Sequence, residues 1–541
     1  GLGYDKDGIV LDVEITNNKI VDVKVKRAKE SEFATSAIQK IAKKVIATQS
    51  LDVDGISGAS LTSEGTKEAI EEAVKKSGIT LTTVTVQNVR TVEFPKETDV
   101  VVIGAGGAGL TSAIAAHEKG AKVILIEKTE LLGGNTNYAT AGLNAAGTKI
   151  QEKLGVKDSP ELFYEDTMKG GKNKNNKELV RVLVNNSSAI VDWLIERGAD
   201  LSELTSTGGQ SAKRTHRPTG GTAVGPNIVA ALSKTAENEK IDIRKGTKAI
   251  ALVKTKNRIV GVKVREIDGK EYTIKAKAVI VATGGFGANA KMVEKYNPKL
   301  KGFGSTNSPA IVGDGIIMVE KVGGALVDMS EIQTHPTVVY NKTNMITEAV
   351  RGEGAILVNK DGKRFIDELE TRDVVSKAIL SQKGKSAFLI FDEDIRTKLK
   401  AADGYVKKGF AVEGTLEEIA AKIGTDAKTL EATLNKYNEA VRDKVDSEFN
   451  KKTLPKELTG TKYYAIEVSP AVHHTMGGVR INTNAEVLSK NGRPIKGLYA
   501  AGEVTGGIHG ANRIGGNAVA DITIFGKIAG ENAATYSKSV K

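Results

Sequence analysis

Cysteine is absent from all 541 residues of the sequence. Its absence excludes disulfides, iron–sulfur clusters with thiolate ligands, thiolate zinc sites and c-type haem attachment within this chain. We predict no metal site. A long chain without cysteine is compatible with export to an oxidising compartment.

Long apolar runs are also missing, and aromatic residues make up only 4% of the chain. No stretch reaches the eighteen apolar residues that a membrane span requires, and the opening GLGYDKDGIV has neither a basic n-region nor an apolar h-region. Because the printed chain starts at Gly1, the presence of a targeting segment upstream stays an open question. We expect an extracellular or cell-envelope location, with the cytoplasm as the alternative.

The charge is basic, with a net value of +12 and a pI near 9.2. The lysines are spread along the whole length without a block of five like charges, and few aromatics accompany them. This distribution differs from the basic patch of nucleic-acid-binding proteins, so we predict no nucleic-acid partner. A basic field of this kind suits small dicarboxylates or a cell-envelope polyanion.

At this length, two or three domains are expected, and the first is small. Residues 9–25 alternate apolar and polar around Asn17 and Asn18, which predicts a β-hairpin, and two amphipathic helices follow, the second ending at Gly78. We predict an α+β module at 1–78 and an extended linker at 79–97. Before the second helix, small and hydroxyl residues suit either a phosphate site or a helix cap, and spacing alone favours the cap.

A dinucleotide-binding pattern begins at residue 98. A short apolar strand runs directly into Gly104-Ala-Gly106-Gly107-Ala-Gly109, and Glu127 ends the next apolar strand, VILIE. Glycines between a strand and a helix let a pyrophosphate approach the helix N-terminus, and the acid can accept hydrogen bonds from a ribose. The sequence therefore predicts an α/β fold with a Rossmann-like domain.

Proton-handling and anion-binding residues are dense between residues 329 and 373, which contain His335, Thr347, Glu348, Arg351 and Arg372. A segment that is only structural rarely needs so many of them, although Glu348 and Arg351 alone would fit an ordinary ion pair at i and i+3. The chain has six histidines. Four of them stand at 335, 473, 474 and 509, close to these motifs or to glycine-rich turns.

Three motifs in this region carry a resemblance. In order they are His-Pro-Thr, Met-x-Thr-Glu-Ala-Val-Arg-Gly and Arg-Phe-x-x-Glu-x-x-Thr-Arg-Asp, and His-Thr-Met-Gly-Gly and Asn-Arg-x-Gly-Gly-Asn follow later. The set resembles the soluble flavin-dependent fumarate reductases of the flavocytochrome c family. The resemblance implies an FAD-binding domain at 98–329 and 475–541, with an α+β capping or clamp domain inserted at 330–474.

The N-terminal module has a resemblance of its own. Its Asp-x-x-Ser-Gly-Ala-Ser, which starts at Asp54, resembles the flavinylation motif of FMN-binding domains. In that family a transferase links the FMN phosphate to the last hydroxyl of the motif. The resemblance thus implies covalent FMN on Ser60 and an FMN transferase as a partner, and it reverses the preference for a plain helix cap.

The same resemblance implies which residues bind FAD. The first flavin loop at Gly134 contains Asn135 and Thr136 where membrane-bound relatives carry a histidine that holds FAD covalently, so non-covalent FAD is expected here. The basic segment with His216 resembles one that packs near the FAD domain, and His216 is not in the catalytic set. The expected cofactor residues are Gly104, Gly106, Gly107, Ala108, Gly109, Glu127, Lys128, Gly134, Asn135, Thr136, Ala141, Gly142, Thr283, Gly284, Asp314, His473, Glu503, Gly516, Asn517 and Ala518.

The implied chemistry is hydride transfer from FAD to an unsaturated dicarboxylate. One substrate carboxylate is expected on His474 and Arg513, and the other on His335, Thr347 and the Glu348 region, with Met345 on the apolar side. Arg372 is the implied proton donor, although the pKa of arginine is poorly matched to neutral pH. Glu348 and Arg351 are implied to reload it.

The resemblance has two departures. The multihaem domain of some relatives is missing, and so is the NADH-oxidising module of others. Electrons are therefore expected from an external donor, such as a membrane or extracellular flavin or quinone system, through FMN. The alternatives are reduction of another enoic acid (urocanate, acrylate or a cinnamate), oxidation of succinate, and an electron-transfer flavoprotein without turnover.

Overall fold

The computed structural model describes residues 8–28, 30, 32–56, 59–84, 95–256 and 258–540, without the side chains of residues 32, 33 and 60. Parts of our sequence predictions lie outside these described residues. They are residues 1–7, 29 and 31 of the N-terminal module, Ser57 and Gly58 of its motif, the side chain of Ser60, residues 85–94 of the linker, and residues 257 and 541 of the FAD-binding domain.

The N-terminal module is a hairpin packed on two helices. Its elements are β1 (Val10–Thr16), β2 (Lys19–Arg27), α1 (Glu32–Thr48) and α2 (Ser60–Ser77). Asn17 and Asn18 have φ angles of 51° and 58°, the left-handed geometry that a two-residue hairpin turn requires. Gly78 ends α2 with a φ of 71°. The predicted hairpin, helices and helix end are confirmed.

The large domain alternates strands and helices before the clamp and returns after it. Its strands are β3 (Glu97–Ile103), β4 (Val123–Glu127), β5 (Leu143–Asn144), β6 (Glu203–Thr205), β7 (Thr215–Arg217), β8 (Asp242–Lys245), β9 (Thr247–Lys254), β10 (Ile259–Glu266), β11 (Glu271–Val281), β12 (Gly304–Ser305) and β13 (Leu326–Val327). Its helices before the clamp are α3 (Gly107–Glu118), α4 (Lys149–Lys153), α5 (Pro160–Gly170), α6 (Lys177–Asn185), α7 (Ser187–Glu196), α8 (Val224–Asn238), α9 (Ala290–Tyr296) and α10 (Asp314–Lys321).

The inserted clamp domain has its own core, and its five strands form a sheet that β12 of the large domain joins through β18. Its strands are β14 (Gln333–Val339), β15 (Ile356–Val358), β16 (Ala387–Asp392), β17 (Val412–Gly414) and β18 (Tyr463–His474). Its helices are α11 (Glu348–Gly352), α12 (Arg372–Leu380), α13 (Glu393–Lys398), α14 (Lys400–Lys407), α15 (Leu416–Ile423) and α16 (Ala427–Asp443). A separate apolar cluster drawn from residues 339–468 lies inside the predicted clamp.

The chain then returns to the large domain. The returning elements are β19 (Gly478–Arg480), β20 (Glu486–Leu488), β21 (Pro494–Ala500), β22 (Thr505–Gly506) and α17 (Asn517–Ser539). β21 joins β11, β3, β4 and β8 as the fifth strand of a parallel row, in the order β21-β11-β3-β4-β8. α3 follows the central strand of this row, so the predicted Rossmann-like α/β fold is confirmed.

The last helix fastens the returning segment to the nucleotide-binding helix. α17 packs along α3, and the Ser112 hydroxyl donates to the Gly526 carbonyl at 2.8 Å. A Cβ at Gly530 would stand 2.3 Å from the Ser112 carbonyl oxygen, so only glycine allows this approach. No helix in the part of the chain that the structure describes is long and apolar enough to cross a bilayer.

A network of buried charges stabilises the clamp next to the predicted catalytic residues. Arg364 pairs with Glu368 at 2.9 Å and with Asp446 at 2.9 Å, and Lys451 reaches Glu368 at 2.8 Å. All four side chains are at most 2% exposed. Because each buried charge has a partner, the network fixes the position of the Glu368 backbone, which in turn accepts a hydrogen bond from Arg351 at 2.6 Å.

Candidate active site

A cavity of about 720 Å³ lies where the parallel strands end and the clamp begins. One part of its wall comes from the β3–α3 turn, the end of β4 and the loop after β11. All the predicted cofactor residues except Gly109 and Asn517 line it, and so do all the predicted catalytic and substrate residues. The two predicted sites are therefore parts of one cavity, at the sheet edge where α/β folds bind ligands.

Gly109 and Asn517 lie behind the cavity wall and support it. A Cβ at Gly109 would stand 1.7 Å from the Gly104 carbonyl oxygen, so Gly109 allows the tight turn between β3 and α3. Asn517 is fully buried; its amide oxygen accepts from Asn144 at 2.6 Å and its amide nitrogen donates to Thr167 at 3.2 Å. Both residues shape the site without lining it.

We expect Gly109→Ala to weaken FAD affinity more than tenfold, because the added methyl group must push the turn apart. The measurement is bound flavin per protein, from absorbance after gel filtration. Gly404→Ala is the matched control, since a Cβ there meets no heavy atom within 4 Å. Full FAD content in Gly109→Ala would contradict this role of the turn.

The nucleotide end of the cavity fits FAD. Gly106 and Gly107 form the N-terminus of α3 and line the cavity, where a helix N-terminus can bind a pyrophosphate. A Cβ at Gly107 would stand 2.6 Å from the Ile522 side chain, so glycine allows α3 to pack closely on α17. The Thr283 and Thr140 hydroxyls have no hydrogen-bond partner among the described residues, so both are free to bind a cofactor. Glu127 accepts from the Ala105 amide at 2.9 Å and still lines the cavity.

A chain of charged groups lies at the clamp end. Arg372 Nε donates to Glu348 Oε1 at 2.6 Å, and Arg351 Nη2 lies 3.8 Å from the same oxygen. Burial alone would raise the pKa of the Glu348 carboxyl, but the two arginines outweigh it and lower that pKa to about 2. Glu348 is therefore ionised at neutral pH and connects Arg372 with Arg351.

Three histidines at the clamp end of the cavity are held neutral. Burial, and after it the nearby arginines, lowers the pKa of His335, His473 and His474 well below the usual range. His474 Nδ1 accepts the Met476 amide at 3.0 Å, so its proton is on Nε2, and that atom has no partner among the described residues. Neither ring nitrogen of His335 has one.

Arg513 brings a further cation to the same cavity. Burial, and after it the charge of Arg372, lowers its pKa to about 9, against the opposing charges of Glu503 and Glu348. Its Nε is buried without a hydrogen-bond partner among the described residues. A negatively charged ligand would satisfy this atom and relieve the repulsion between the two arginines.

The structure adds two residues that the sequence patterns did not predict. Gln333 accepts from Arg372 Nη1 at 3.4 Å and donates to the Arg513 carbonyl at 2.9 Å, so it joins the two arginines. Asn307 accepts from Asn135 at 2.6 Å and donates to the His473 carbonyl at 3.0 Å. Gln333 lies two residues before His335 on β14, and this alternation is the signal that could have identified it.

The basic segment after residue 213 contains two buried side chains that lie away from the cavity and one that lines it. Arg214 is fully buried on Asp158 and Asp166, at 2.9 and 2.8 Å. His216 is buried as well, and its ring nitrogens lie 2.8 Å from the Thr148 hydroxyl and 2.9 Å from the Arg214 carbonyl. Only Arg217 of the three lines the cavity. This placement agrees with leaving His216 out of the catalytic set.

Two family models match the chain. The FAD binding domain family matches residues 99–519, and the FMN-binding domain family matches residues 3–75. The first match covers the large domain and the clamp together, and the second covers the N-terminal module. FAD and FMN are accordingly the cofactors of the chain.

Named relatives agree with both matches. The chain is 45% identical over 538 residues to an NADH:fumarate oxidoreductase of Klebsiella pneumoniae, covering 99% of this chain but 58% of the relative. It is 51% identical over 442 residues to a fumarate reductase (cytochrome) of Shewanella frigidimarina, covering 81% and 77%. A urocanate reductase of Eggerthella lenta is 35% identical over 559 residues, covering 99% and 92%.

The fold has a solved counterpart. The open conformation of a flavocytochrome c3 fumarate reductase superposes with a TM-score of 0.73 at 44% identity, covering 82% of this chain and 78% of that one. The chain therefore belongs to the FAD binding domain family, among the flavin-dependent oxidoreductases that include the fumarate reductases, and carries an N-terminal FMN-binding domain.

Proposed function

We propose that the chain reduces fumarate to succinate. The observation that carries this proposal is a set of buried donors without partners among the described residues, on His335, His474 and Arg513, around one cavity that also holds Arg351 and Arg372. Unpaired donors and an excess of positive charge are costly to bury, and a dianionic ligand offsets both costs. Identities of 45% and 51% to fumarate reductases support the same substrate class.

The substrate binds through its two carboxylates in this proposal. His474 and Arg513 hold one of them, while His335, Thr347 and the α11 N-terminus at Glu348 hold the other. Met345 packs on the alkene from the apolar side. Charge-assisted hydrogen bonds at both ends fix the reacting carbons, which lowers the entropic cost of reaching the transition state.

Arg372 donates the proton, and Glu348 and Arg351 reload it. Bound FAD supplies the hydride. Loss of a proton from an arginine is normally unfavourable near neutral pH. Here Glu348 Oε1 lies 2.6 Å from Arg372 Nε and 3.8 Å from Arg351 Nη2, which places it to return a proton to Arg372.

Electrons reach the site from outside this chain in the proposed function. FMN attached to Ser60 by a transferase accepts them from a membrane or extracellular flavin or quinone donor, in an extracellular or cell-envelope location. The N-cap of α2, Ala59, has no side-chain cap hydrogen bond. Because alanine offers no side-chain acceptor at the N-cap, the first amides of α2 are suited to a flavin phosphate.

A turnover assay with four enoates tests the substrate. Anaerobic oxidation of reduced methyl viologen is followed with fumarate, urocanate, acrylate or cinnamate, and kcat/KM for fumarate is expected to exceed the others at least 100-fold. Loss of one carboxylate contact costs at least this much where a site is built to bind it. Preference for another enoate would remove the two-carboxylate assignment, and no turnover at all would favour an electron-transfer flavoprotein.

A further inference from the structure

The loop at residues 129–133 touches both the N-terminal module and the flavin cavity. Thr129, Leu131 and Leu132 line the cavity. Leu131 is 9% exposed because it is also part of the apolar cluster of the N-terminal module, together with Ile41 and Val45 of α1. Every other buried member of that cluster belongs to the module itself. Leu131 therefore inserts into the core of the module while its loop forms the cavity wall.

Two lysines of α1 hold the same loop. Lys40 Nζ donates to the Glu130 carbonyl at 2.8 Å, and Lys44 Nζ lies 3.3 Å from Glu130 Oε1. Burial lowers the pKa of Lys40, and the like charge of Lys245 lowers it further, whereas Glu130 opposes the change. The contact thus combines the attraction between Glu130 and the two lysines with the repulsion between Lys40 and Lys245.

The described contacts are those of a weak interface. One apolar side chain, one hydrogen bond to a carbonyl and one partly exposed ion pair contribute little affinity, and electron-transfer encounters typically have small interfaces. Residues 79–97 tether the module to the large domain, so its effective concentration at the loop is high even when affinity is low. A module held this way can dock and separate.

The start of α2 belongs to the same apolar core as Leu131. Its N-cap residue Ala59 belongs to the same buried cluster as Leu131, and Ser60 follows at once in the chain. The end of α2 at which FMN attachment is predicted therefore belongs to the same core that receives Leu131. The loop that carries Leu131 is in turn a wall of the FAD cavity.

We propose that loop 129–133 is the docking surface through which the N-terminal module passes electrons to the flavin cavity. The redox part of this inference rests on the proposed function. In each cycle, two electrons and two protons leave reduced FMN and convert FAD to its reduced form, which fumarate then oxidises. Glu130 is the positioning residue of this contact, because it binds both lysines without lining the cavity.

A single-turnover experiment tests the proposal on the full protein. Both flavins are reduced anaerobically with dithionite in stoichiometric amount, and excess fumarate is mixed in while flavin absorbance is recorded. Wild type is expected to show a fast FAD phase and a slower FMN phase. Glu130→Lys is expected to leave the fast phase unchanged and to slow the second phase at least tenfold.

Charge reversal separates docking from a general effect of the substitution. Lys44→Glu alone should slow the second phase as Glu130→Lys does, and the double variant Lys44→Glu/Glu130→Lys should return it to within threefold of wild type, since the pair is restored with inverted signs. Glu72→Lys, an exposed site on α2 with the same charge change, is the matched control and should behave as wild type.

Hydrogen exchange of the oxidised protein gives a second measurement that needs no turnover. Peptides from α1 and from loop 129–133 are expected to exchange faster in Glu130→Lys and to recover in the double variant. An unchanged second phase and unchanged exchange in Glu130→Lys, or a double variant no better than the singles, would overturn the proposal. If wild type lacks the fast phase, the proposed function fails, while exchange still decides whether the module docks here.

Discussion

Arg372→Gln is expected to lower kcat for fumarate reduction by about 10³-fold, roughly 4 kcal/mol of transition-state stabilisation. Glutamine keeps hydrogen-bonding capacity but has no proton to give at the reacting carbon. Glu348, which accepts from Arg372 Nε at 2.6 Å, would lose its charged partner as well. The measurement is steady-state viologen oxidation over a range of fumarate concentrations.

The substitution should spare everything before the proton transfer. FAD content and succinate binding, followed as a change in the flavin spectrum, are expected to stay near wild type, and Arg372→Lys should recover part of the lost rate. Lys377→Ala removes an exposed charge from the same helix, α12, and serves as the control. Turnover of Arg372→Gln within threefold of wild type would assign the proton to another group.

Arg513→Met is expected to lower kcat/KM for fumarate by about 10²-fold, equivalent to roughly 3 kcal/mol. Methionine keeps much of the volume but removes the charge that offsets a substrate carboxylate. Arg513 Nε has no partner among the described residues, and Nη1 donates one long hydrogen bond of 3.4 Å to the Ile514 carbonyl, so the substitution disturbs the protein itself little. The effect should therefore be on substrate affinity, and the dissociation constant of succinate should rise in parallel.

The control for Arg513→Met is the same substitution, arginine to methionine, at an exposed position. Arg480 is exposed on β19, and Arg480→Met should change neither succinate affinity nor turnover. Equal succinate affinity in Arg513→Met and wild type would mean that the anion binds elsewhere. A fall in FAD content instead would point to a role of Arg513 on the flavin side of the cavity.

Much of the fold could be predicted because its signals are local. Left-handed asparagines between alternating strands specify the first hairpin, and the glycines at Gly104 and Gly109 specify the β3–α3 turn whatever surrounds them. Gly424 ends α15 with a φ of 73°, a helix end that glycine favours through its own backbone. Such residues act through their own backbone geometry, so the sequence alone carries the information.

Contacts that depend on distant partners were harder to predict. His473 and His474 are neighbours on β18, so their side chains alternate in direction, and the sequence does not say which ring faces which group. The structure places the His473 ring 5.4 Å from that of His335 and the His474 ring 5.2 Å from that of His509. The carboxylate assigned to His474 stays a prediction, and His473 is its nearest competitor in the same cavity.

Residues that only bridge others escape sequence reasoning for a similar reason. Gln333 has no titratable group and belongs to no glycine-rich motif, yet it connects Arg372 with the carbonyl of Arg513. Its role exists only because β14 and the loop before α17 meet in space. Asn307, which links Asn135 to the His473 carbonyl, is the same case on the flavin side.

The pairing of α3 with α17 determines when the cofactor site can form during folding. The Ser112 hydroxyl and the Gly526 carbonyl that it binds are separated by 414 positions in sequence. The whole clamp is synthesised between these two helices, and contacts of such separation form slowly because a long loop must close first. The clamp, with its own core, can fold while α3 still lacks its partner. Tight FAD binding is therefore a late event in biogenesis, and the intermediate that awaits α17 exposes the apolar face of α3.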